Sequence, residues 1–239
     1  MIGVLAQQPV IPKFERASEC IRENHTFCAA WFKDNFDRVF EPRIVEHIEL
    51  TLMAVGIGFV LSFGAALLAY NRGWFERSFA FFAAFLYTVP SIAFFQLMVP
   101  ITGLTRTSAE IALVSYTLLI LFRNTLTGLQ EVPEDARMAA RAMGLTPRQT
   151  LWRVELPLAL PAIMAGIRIA TVMTISLATV AAFIGVGGLG QPIFNAIQSG
   201  FKTQFVAAGV LAVLLALIAD VLLVLLQRFI APWTRARRA

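Results

Sequence analysis

The sequence predicts an all-α membrane protein, and three observations support that prediction. Hydrophobic residues make up 58% of the 239 positions, whereas charged residues make up only 15%. The mean hydropathy of +0.71 is higher than a soluble core of this size requires. Apolar stretches also recur at the length of about 20 residues that a helix needs to cross the hydrocarbon layer. We therefore expect about five membrane-spanning helices.

The five predicted spans follow one another along most of the chain. They cover residues 48–70, 78–100, 109–128, 158–185 and 204–228. Because five is an odd number, the two termini should lie on opposite sides of the membrane. We expect the chain to have three parts, namely an extracytoplasmic tail over 1–45, a transmembrane domain over 46–232 and a basic tail over 233–239.

Arginine residues collect in alternate connections between these spans. They are Arg72 and Arg77 after span one, Arg137, Arg141, Arg148 and Arg153 after span three, and Arg235, Arg237 and Arg238 after span five. The opposite connections carry only Arg106 and Lys202. Connections rich in Arg and Lys stay in the cytoplasm, so we predict the N-terminus outside and the C-terminus inside. The net charge of +5 then reflects this bias, and no basic-aromatic module for nucleic acid is present.

Large apolar side chains in the tail recur at helical spacing. They are Phe27, Trp31, Phe32, Phe36, Val39 and Phe40. The spacing predicts an amphipathic helix that lies on the outer membrane surface or on another span. Two roles stay open for it, namely packing on span one and docking another protein.

Two cysteines, Cys20 and Cys28, lie in this tail and are the only ones in the chain. An oxidising compartment outside the membrane permits a disulfide between them, and two free thiols are the alternative. His25 lies between them, but three ligands at this spacing match no known metal site. We therefore expect a disulfide and no metal.

Span two carries a proline among many aromatic side chains. Pro90 lacks the N–H that a helix interior needs, so we predict a kink at this position. A kinked span makes Pro90 a candidate for the lining or gate of a pathway.

The connection over residues 129–157 predicts two short helices. Pro133 suits a first helical turn, and Glu134 and Asp135 follow where the helix dipole favours acids. Gly144 is placed to end this helix in the left-handed conformation. Thr146 and the proline after it predict the cap of a second helix over 148–154.

Small side chains at Ala139 and Ala140 leave room for another protein to approach the first of these helices. On its charges alone, the connection would equally be a solvated hairpin.

Two ionisable residues interrupt the interior of the last two spans, Arg168 in span four and Asp220 in span five. Each costs roughly 2.5–3.5 kcal/mol at a helix centre on insertion scales, and such residues usually pair inside the protein. Counting about 1.5 Å per residue from the inner ends places both at a similar depth. We predict a buried ion pair, against the alternative that Arg168 extends to the interface and Asp220 is hydrated or protonated.

A run of glycines follows span four, at Gly185, Gly187, Gly188 and Gly190. The run satisfies G-x-G-x-x-G, but a dinucleotide site requires a strand before it, and here a membrane helix precedes it. We predict that the helix unwinds at this point. Irregular backbone at membrane depth must be covered by protein or line an aqueous cavity, so the glycines are either a gate or a plain helix end.

The connection over 129–157 resembles the EAA loop, E-A-A-x3-G-x9-I-x-L-P, of the membrane subunits of ATP-binding-cassette importers. The matching residues are Ala139, Ala140, Gly144, Leu156 and Pro157, with Val154 in place of Ile and Met138 in place of Glu. The resemblance implies a type I importer permease whose loop docks on a separate ATPase.

Four stretches narrow the resemblance to permeases for osmoprotectants, covering about residues 45–232. They are the segments 46–52, 86–91, 151–161 and 166–172. The resemblance implies a plasma or inner membrane complex of two permease subunits, identical or paralogous, with two ATPase subunits and an external solute-binding protein. The cargo would be glycine betaine, choline, carnitine or proline, or another amino acid-like or small polar solute.

Enzymatic motifs are absent from the sequence, so we expect no catalytic residue and no cofactor in this chain. The binding and hydrolysis of ATP are assigned to the separate ATPase subunit. A secondary transporter or channel would show repeats and several intramembrane charges, and we find no convincing repeat. A membrane anchor without transport is the third alternative. Copurification with an ATPase would distinguish an importer permease from both a secondary transporter and a membrane anchor.

Overall fold

Residues 17–235 are described by the structure, a computed structural model. This part of the chain is helical almost throughout and has no β-strand. The helices are α1 (Ala17–Glu23), α2 (Ala29–Asn35), α3 (Glu41–Ala69), α4 (Gly73–Thr88), α5 (Ser91–Thr102), α6 (Arg106–Gln130), α7 (Glu134–Ala142), α8 (Pro147–Thr150), α9 (Leu156–Val180), α10 (Gly190–Ser199) and α11 (Lys202–Ile230). π-Helical turns at Phe36–Phe40 and Leu151–Glu155 join α2 to α3 and α8 to α9, and 3₁₀ turns lie at Ala181–Ile184 and Pro232–Arg235.

Among the described residues, four helical stretches are long and apolar enough to cross a membrane. They are Ala29–Ala69, Arg106–Gln130, Pro147–Ile184 and Lys202–Ile230, and the bent pair α4 and α5 would make a fifth. The prediction of an all-α membrane protein with about five spans is therefore confirmed. We call the end of the bundle that carries α7 and α8 the loop end, and the end that carries α1 and α2 the tail end.

Span two differs from the prediction of one kinked helix over 78–100. Helices α4 and α5 meet at 99°, and the chain between them is extended at Val89, with φ −65° and ψ 128°. A residue before proline avoids the helical region, and Pro90 itself cannot donate to the preceding turn. The Tyr116 hydroxyl donates to the freed Val89 carbonyl at 2.5 Å. The proline thus breaks the helix, and α6 holds the break.

Helix α6 lies at the centre of the bundle, against α3, α4, α5 and α9. Small residues allow the close approach of α6 to its neighbours. A Cβ at Gly166 of α9 would lie 2.6 Å from the Cβ of Asn124, and one at Gly58 of α3 would overlap the Thr117 side chain. Close backbone approach through small residues is the usual way in which membrane helices pack.

The tail helix is not the separate surface helix that its spacing suggested. Residues Ala29–Ala69 form one continuous helical stretch, which runs through the expected boundary at 45. Its aromatic face packs against α11, where the Trp31 and Phe201 rings lie 4.7 Å apart and Phe40 is fully buried. The tail therefore packs on the last span, whereas we had expected span one.

The second loop helix likewise continues into its span. The sequence placed a short helix over 148–154 before a span starting at 158, but Pro147–Ile184 is one helical stretch. The π-helical turn Leu151–Glu155 lies directly before Pro157. Because proline at this position cannot donate to the carbonyl four residues back, the wider π turn accommodates the missing bond without ending the helix.

Candidate functional site

The predicted loop helix is α7, and its C-terminal end is capped. Pro133 is the N-cap, one position before the expected first turn, and Glu134 and Asp135 follow in the first turn. At the other end, Gly144 has φ +78°, which confirms the predicted left-handed residue. The Gly144 N–H donates to the Arg141 carbonyl at 2.9 Å and the Leu145 N–H to the Ala140 carbonyl at 3.1 Å. This pair of bonds is a Schellman motif, which requires positive φ at Gly144.

Helix α8 begins three residues after Gly144, with a capping box. The Gln149 N–H donates to Thr146 Oγ1 at 3.3 Å, and the Thr146 N–H donates to Gln149 Oε1 at 2.9 Å. Pro147 occupies the first helical turn. Backbone groups at both sides of the turn are therefore satisfied by local bonds, and α7 and α8 form a well-defined hairpin at the loop end.

The exposed edge of α7 is apolar. Met138 is 52% exposed and Met143 71% exposed, and Ala139 and Gly144 are exposed beside them. Ala140 is fully buried, so the expectation that both alanines leave space for a partner is wrong for Ala140. It lies on the inner face of α7, one residue beyond Ala139. An exposed apolar edge on a capped helix suits contact with another protein.

The second half of the motif lies at the start of α9. Val154, Leu156 and Pro157 are half-buried there, and Leu156 packs beside the buried side chains of Leu129 and Val132. These residues therefore fix the entry of α9 into the bundle, whereas Met138 and Ala139 of α7 are exposed.

A polar cluster that the sequence did not reveal holds α7 on the bundle. Arg137 Nε lies 3.1 Å from Glu155 Oε1, and the Tyr70 hydroxyl donates to the same oxygen at 3.2 Å. Burial raises the pKa of the Tyr70 phenol, and the Glu155 carboxylate raises it further. Arginines and glutamates are common in cytoplasmic connections, so only three-dimensional proximity distinguishes these residues.

The predicted ion pair between α9 and α11 is formed. Arg168 Nε lies 2.8 Å from Asp220 Oδ1, and a second guanidinium nitrogen lies 3.0 Å from Oδ2. The pair is not buried as expected, because the side chains are 32% and 34% exposed. It borders a recess of about 450 Å³ between Arg168, Asp220 and apolar side chains of α9. The exposed side of the ion pair is not covered by other described residues of this chain.

The glycines after span four form a turn between α9 and a helix that the sequence did not predict, α10. Gly185 has φ +77° and Gly188 has φ +41°. A Cβ at Gly188 would lie 2.6 Å from the Cβ of His47, and one at Gly190 would overlap the Thr179 carbonyl. The glycines therefore allow the turn to pack closely on α3 and α9, and protein covers the irregular backbone.

His47, directly before the predicted span one, anchors this turn. It is fully buried within the continuous helix Ala29–Ala69. Its Nδ1 accepts from the Leu189 N–H at 3.2 Å, and its Nε2 lies 2.9 Å from the Ile175 carbonyl. Nε2 then carries the proton, so a neutral histidine satisfies both contacts. No signal in the sequence distinguishes this histidine, because it stands between Glu46 and Glu49 at the expected edge of span one.

The break at Pro90 and the glycine turn belong to one part of the structure. Helix α5, which starts directly after Pro90, contacts the 3₁₀ turn Ala181–Ile184. Phe95 of α5, Leu50 of α3 and Ile184 form one buried apolar cluster. The structure thus brings together the two sets of residues that the sequence marked as candidates for a pathway or gate.

The two cysteines of the tail are joined by a disulfide, with their Cα atoms 6.0 Å apart. Asn24, between them, donates from Nδ2 to the Gly200 carbonyl at 2.9 Å and accepts from the Lys202 N–H at 3.0 Å. The cysteine loop is therefore attached to the turn between α10 and α11.

A bundle of four or five candidate membrane-spanning helices, with an exposed helix hairpin at one end, defines a multi-pass membrane protein. Residues 58–236 match the family model described as the inner membrane component of binding-protein-dependent transport systems. The chain belongs to this family. It is the permease component of an ATP-driven importer and not an enzyme, and such a permease works with an ATPase and a solute-binding protein.

Curated relatives match most of the chain. The osmoprotectant import permease protein OsmW of Salmonella typhimurium is 37% identical over 192 residues, which cover 78% of this chain and 89% of that protein. The glycine betaine/carnitine/choline transport system permease protein OpuCB of Bacillus subtilis is 34% identical over 190 residues, covering 78% of this chain and 86% of the relative.

A solved structure shares the fold. The methionine ABC transporter MetNI, in an inward-facing conformation, matches with a TM-score of 0.70 and 24% identity, covering 78% of this chain and 94% of that chain. This likeness concerns the fold alone.

Proposed function

We propose that this permease carries a small compatible solute such as glycine betaine, choline, carnitine or proline. The observation that supports the proposal best is the 37% identity to an osmoprotectant import permease across 89% of that protein. The relative named for glycine betaine, carnitine and choline is similar over nearly the same length. These three solutes share a quaternary ammonium group. A permease for another amino acid-like or small polar solute is the alternative.

We propose further that the loop end lies in the cytoplasm and that α7 docks on the ATPase. The arginines of the loop, of which Arg141 and Arg148 are exposed, favour this side of the membrane. The apolar edge at Met138, Ala139 and Met143 supplies the contact surface. The N-terminus then lies outside, where the disulfide between Cys20 and Cys28 is stable.

The complete importer contains a second permease subunit, identical or paralogous, two ATPase subunits and an external binding protein. Five spans are too few to surround a pathway, so the pathway lies between two permeases. The turn that contains Gly185 and Gly188, together with the α5 end at Pro90, is the candidate gate. ATP is bound by the partner, and this chain needs no cofactor of its own.

The test is reconstitution of the permease in vesicles with its ATPase and binding protein, followed by uptake of labelled glycine betaine, choline, carnitine and proline. We expect uptake of at least one of these that requires ATP and the binding protein. The control is the same complex with an ATPase subunit unable to hydrolyse ATP. Uptake that persists in this control would identify a secondary transporter. Uptake restricted to unrelated amino acids would reject the osmoprotectant class.

Orientation is tested separately by labelling in intact cells. Single cysteines are placed in the N-terminal tail or beside Arg238, which lies outside the described residues, in a chain with Cys20 and Cys28 replaced by Ser. A membrane-impermeant reagent should reach the tail position only. Equal labelling at both positions would contradict the proposed orientation.

A further inference from the structure

Arg137 is the residue through which α7 contacts the membrane helices most extensively. Its side chain is only 17% exposed, although the helix lies at the surface. Nη2 donates to the Leu129 carbonyl at the end of α6 at 2.8 Å. Nε contacts Glu155 in the π turn before α9, and the guanidinium carbon lies 6.0 Å from the centre of the Tyr70 ring. One side chain therefore joins α7 to the ends of three membrane helices.

The acceptor in this cluster is a buried carboxylate. The Glu155 side chain is 9% exposed, and Oε1 accepts from both Arg137 and Tyr70. A carboxylate withdrawn from water in this way requires its partners, because an unpaired buried charge is strongly unfavourable. The other acid near Arg137 is Glu134, at 3.2 Å, but its side chain is 56% exposed and solvent screens that contact.

The covalent route from α7 to α9 is less direct. It passes through the left-handed turn at Gly144, the four-residue helix α8 and the π turn Leu151–Glu155. A short helix and a π turn are places where a helical rod deforms. The contact between Arg137 and Glu155 spans this segment and fixes α7 directly to the start of α9.

We propose that Arg137, Glu155 and Tyr70 form a latch that makes α7 and the entry of α9 move as one unit during transport. This inference rests on the proposed docking of α7 on the ATPase. The three residues are positioning residues, since they act through α7 and contact neither ATP nor solute. Without the latch, a displacement of α7 is absorbed by the Gly144 turn and the π turn, and ATP is hydrolysed without moving α9.

The test uses the reconstituted complex of permease, ATPase and binding protein, and measures solute molecules imported per ATP hydrolysed. Glu155→Gln retains the size of the side chain and removes its charge. Tyr70→Phe removes only one hydroxyl, and it is the second test of the latch if Glu155→Gln assembles poorly. The matched control is Glu46→Gln, which removes a carboxylate from a partly exposed ion pair with Arg43, at 2.7 Å, on α3.

We expect Glu155→Gln to import about tenfold less solute per ATP, the effect of one hydrogen bond to a charged group, with a smaller loss for Tyr70→Phe. The control should match wild type. The double variant Arg137→Gln with Glu155→Gln should lose less than the sum of the two single variants, because Arg137 and Glu155 share one contact.

Several outcomes would overturn the latch. One is unchanged solute per ATP in both Glu155→Gln and Tyr70→Phe. Another is reduced ATPase binding with normal stoichiometry in the complexes that remain, which would indicate a purely structural role. Failure of the wild-type complex to import any osmoprotectant would instead reject the proposed function. The latch can still be tested when no osmoprotectant is imported, by measuring how much solute-loaded binding protein stimulates ATP hydrolysis. If the latch exists, this stimulation is present in the wild-type complex and falls in Glu155→Gln.

Discussion

The loop end and the tail end of the bundle are fixed by different kinds of contact. At the loop end, α7 is held by ionic and charge-assisted bonds around Arg137 and Glu155. At the tail end, the chain is held by the disulfide at Cys20, by Asn24 on the α10–α11 turn and by neutral bonds from His47. The contacts at the loop end join separate helices, so they can transmit a displacement of α7, whereas the disulfide closes a short loop within the tail. The loop end is therefore suited to move as one unit, and the tail end is stiffened locally.

The largest effect is expected at the loop end, from Arg137→Met. This variant leaves the Glu155 carboxylate buried with only Tyr70 as a partner, which should destabilise the complex by about 3–5 kcal/mol. Thermal unfolding of the purified complex measures the loss. The double variant with Glu155→Leu should recover much of it, because no charge is then stranded. A melting temperature equal to wild type in Arg137→Met would show that the loop end does not depend on ionic contacts.

A smaller effect is expected halfway between the two ends, from Arg168→Met or Asp220→Leu. Each should destabilise by about 2–3 kcal/mol, less than Arg137→Met because both side chains are one-third exposed and solvent or lipid headgroups stabilise a lone charge partly. Complex yield and melting are compared for the two single variants and the double variant. Recovery in the double variant is expected. Strictly additive losses would reject an energetic pairing.

The tail end is tested by replacing Cys20 and Cys28 together with Ser. A disulfide that closes so short a loop should contribute on the order of 2 kcal/mol in the loop-entropy model. We expect proteolysis of the tail to become faster, while ATP-driven uptake changes little. Mass spectrometry without reductant should find the two cysteine peptides joined and lighter by two hydrogens. Free thiols in protein from an oxidising compartment would show that the tail end has no covalent cross-link.

The smallest effect on stability is expected from Gly144→Val. Positive φ costs an ordinary residue about 1–2 kcal/mol, and a Cβ at Gly144 meets no atom within 4 Å, so steric overlap adds nothing. The strain should nevertheless shift α8 relative to α7 and lower uptake per ATP while the spans remain inserted. Met138→Glu, which restores the usual residue of the motif, is the control and should be tolerated. Normal uptake and normal ATPase stimulation in Gly144→Val would contradict a coupling role for the loop.

The features that the sequence predicted well each leave a local signal. Apolar stretches define the spans, a glycine between two helical patterns predicts positive φ at Gly144, and charges at Arg168 and Asp220 are conspicuous because their neighbours are apolar. In each case the residues that make the feature recognisable are its neighbours in the sequence. The pairing itself followed from counting depth along two antiparallel helices.

The features that the sequence missed depend on contacts between distant segments. Pro90 predicts a bend, but the 99° break is accompanied by a bond from Tyr116 in another helix, which the sequence does not show. Helix α10 was read as loop because its first residue, Gly190, follows a glycine turn, and only its packing on Thr179 shows why the glycine is there. His47 stands beside Glu46 and Glu49 directly before the predicted span one, and its burial comes from α9 and the glycine turn, which are distant in sequence. The exposure of Arg168 and Asp220 similarly depends on what the neighbouring helices leave uncovered.

The continuous helical stretch Pro147–Ile184 has a mechanical consequence. At about 1.5 Å per residue its 38 residues extend for roughly 55–60 Å, from the hairpin at the loop end to the glycine turn at the tail end. One rod therefore reaches from the proposed ATPase contact to the candidate gate. A rod of this length acts as a lever, with the π turn beside Glu155 as its soft joint. If it pivots where Gly166 packs tightly on α6, a displacement near Pro157 becomes an opposite displacement about twice as large at Gly185, because Gly185 lies about twice as far from the pivot along the helix.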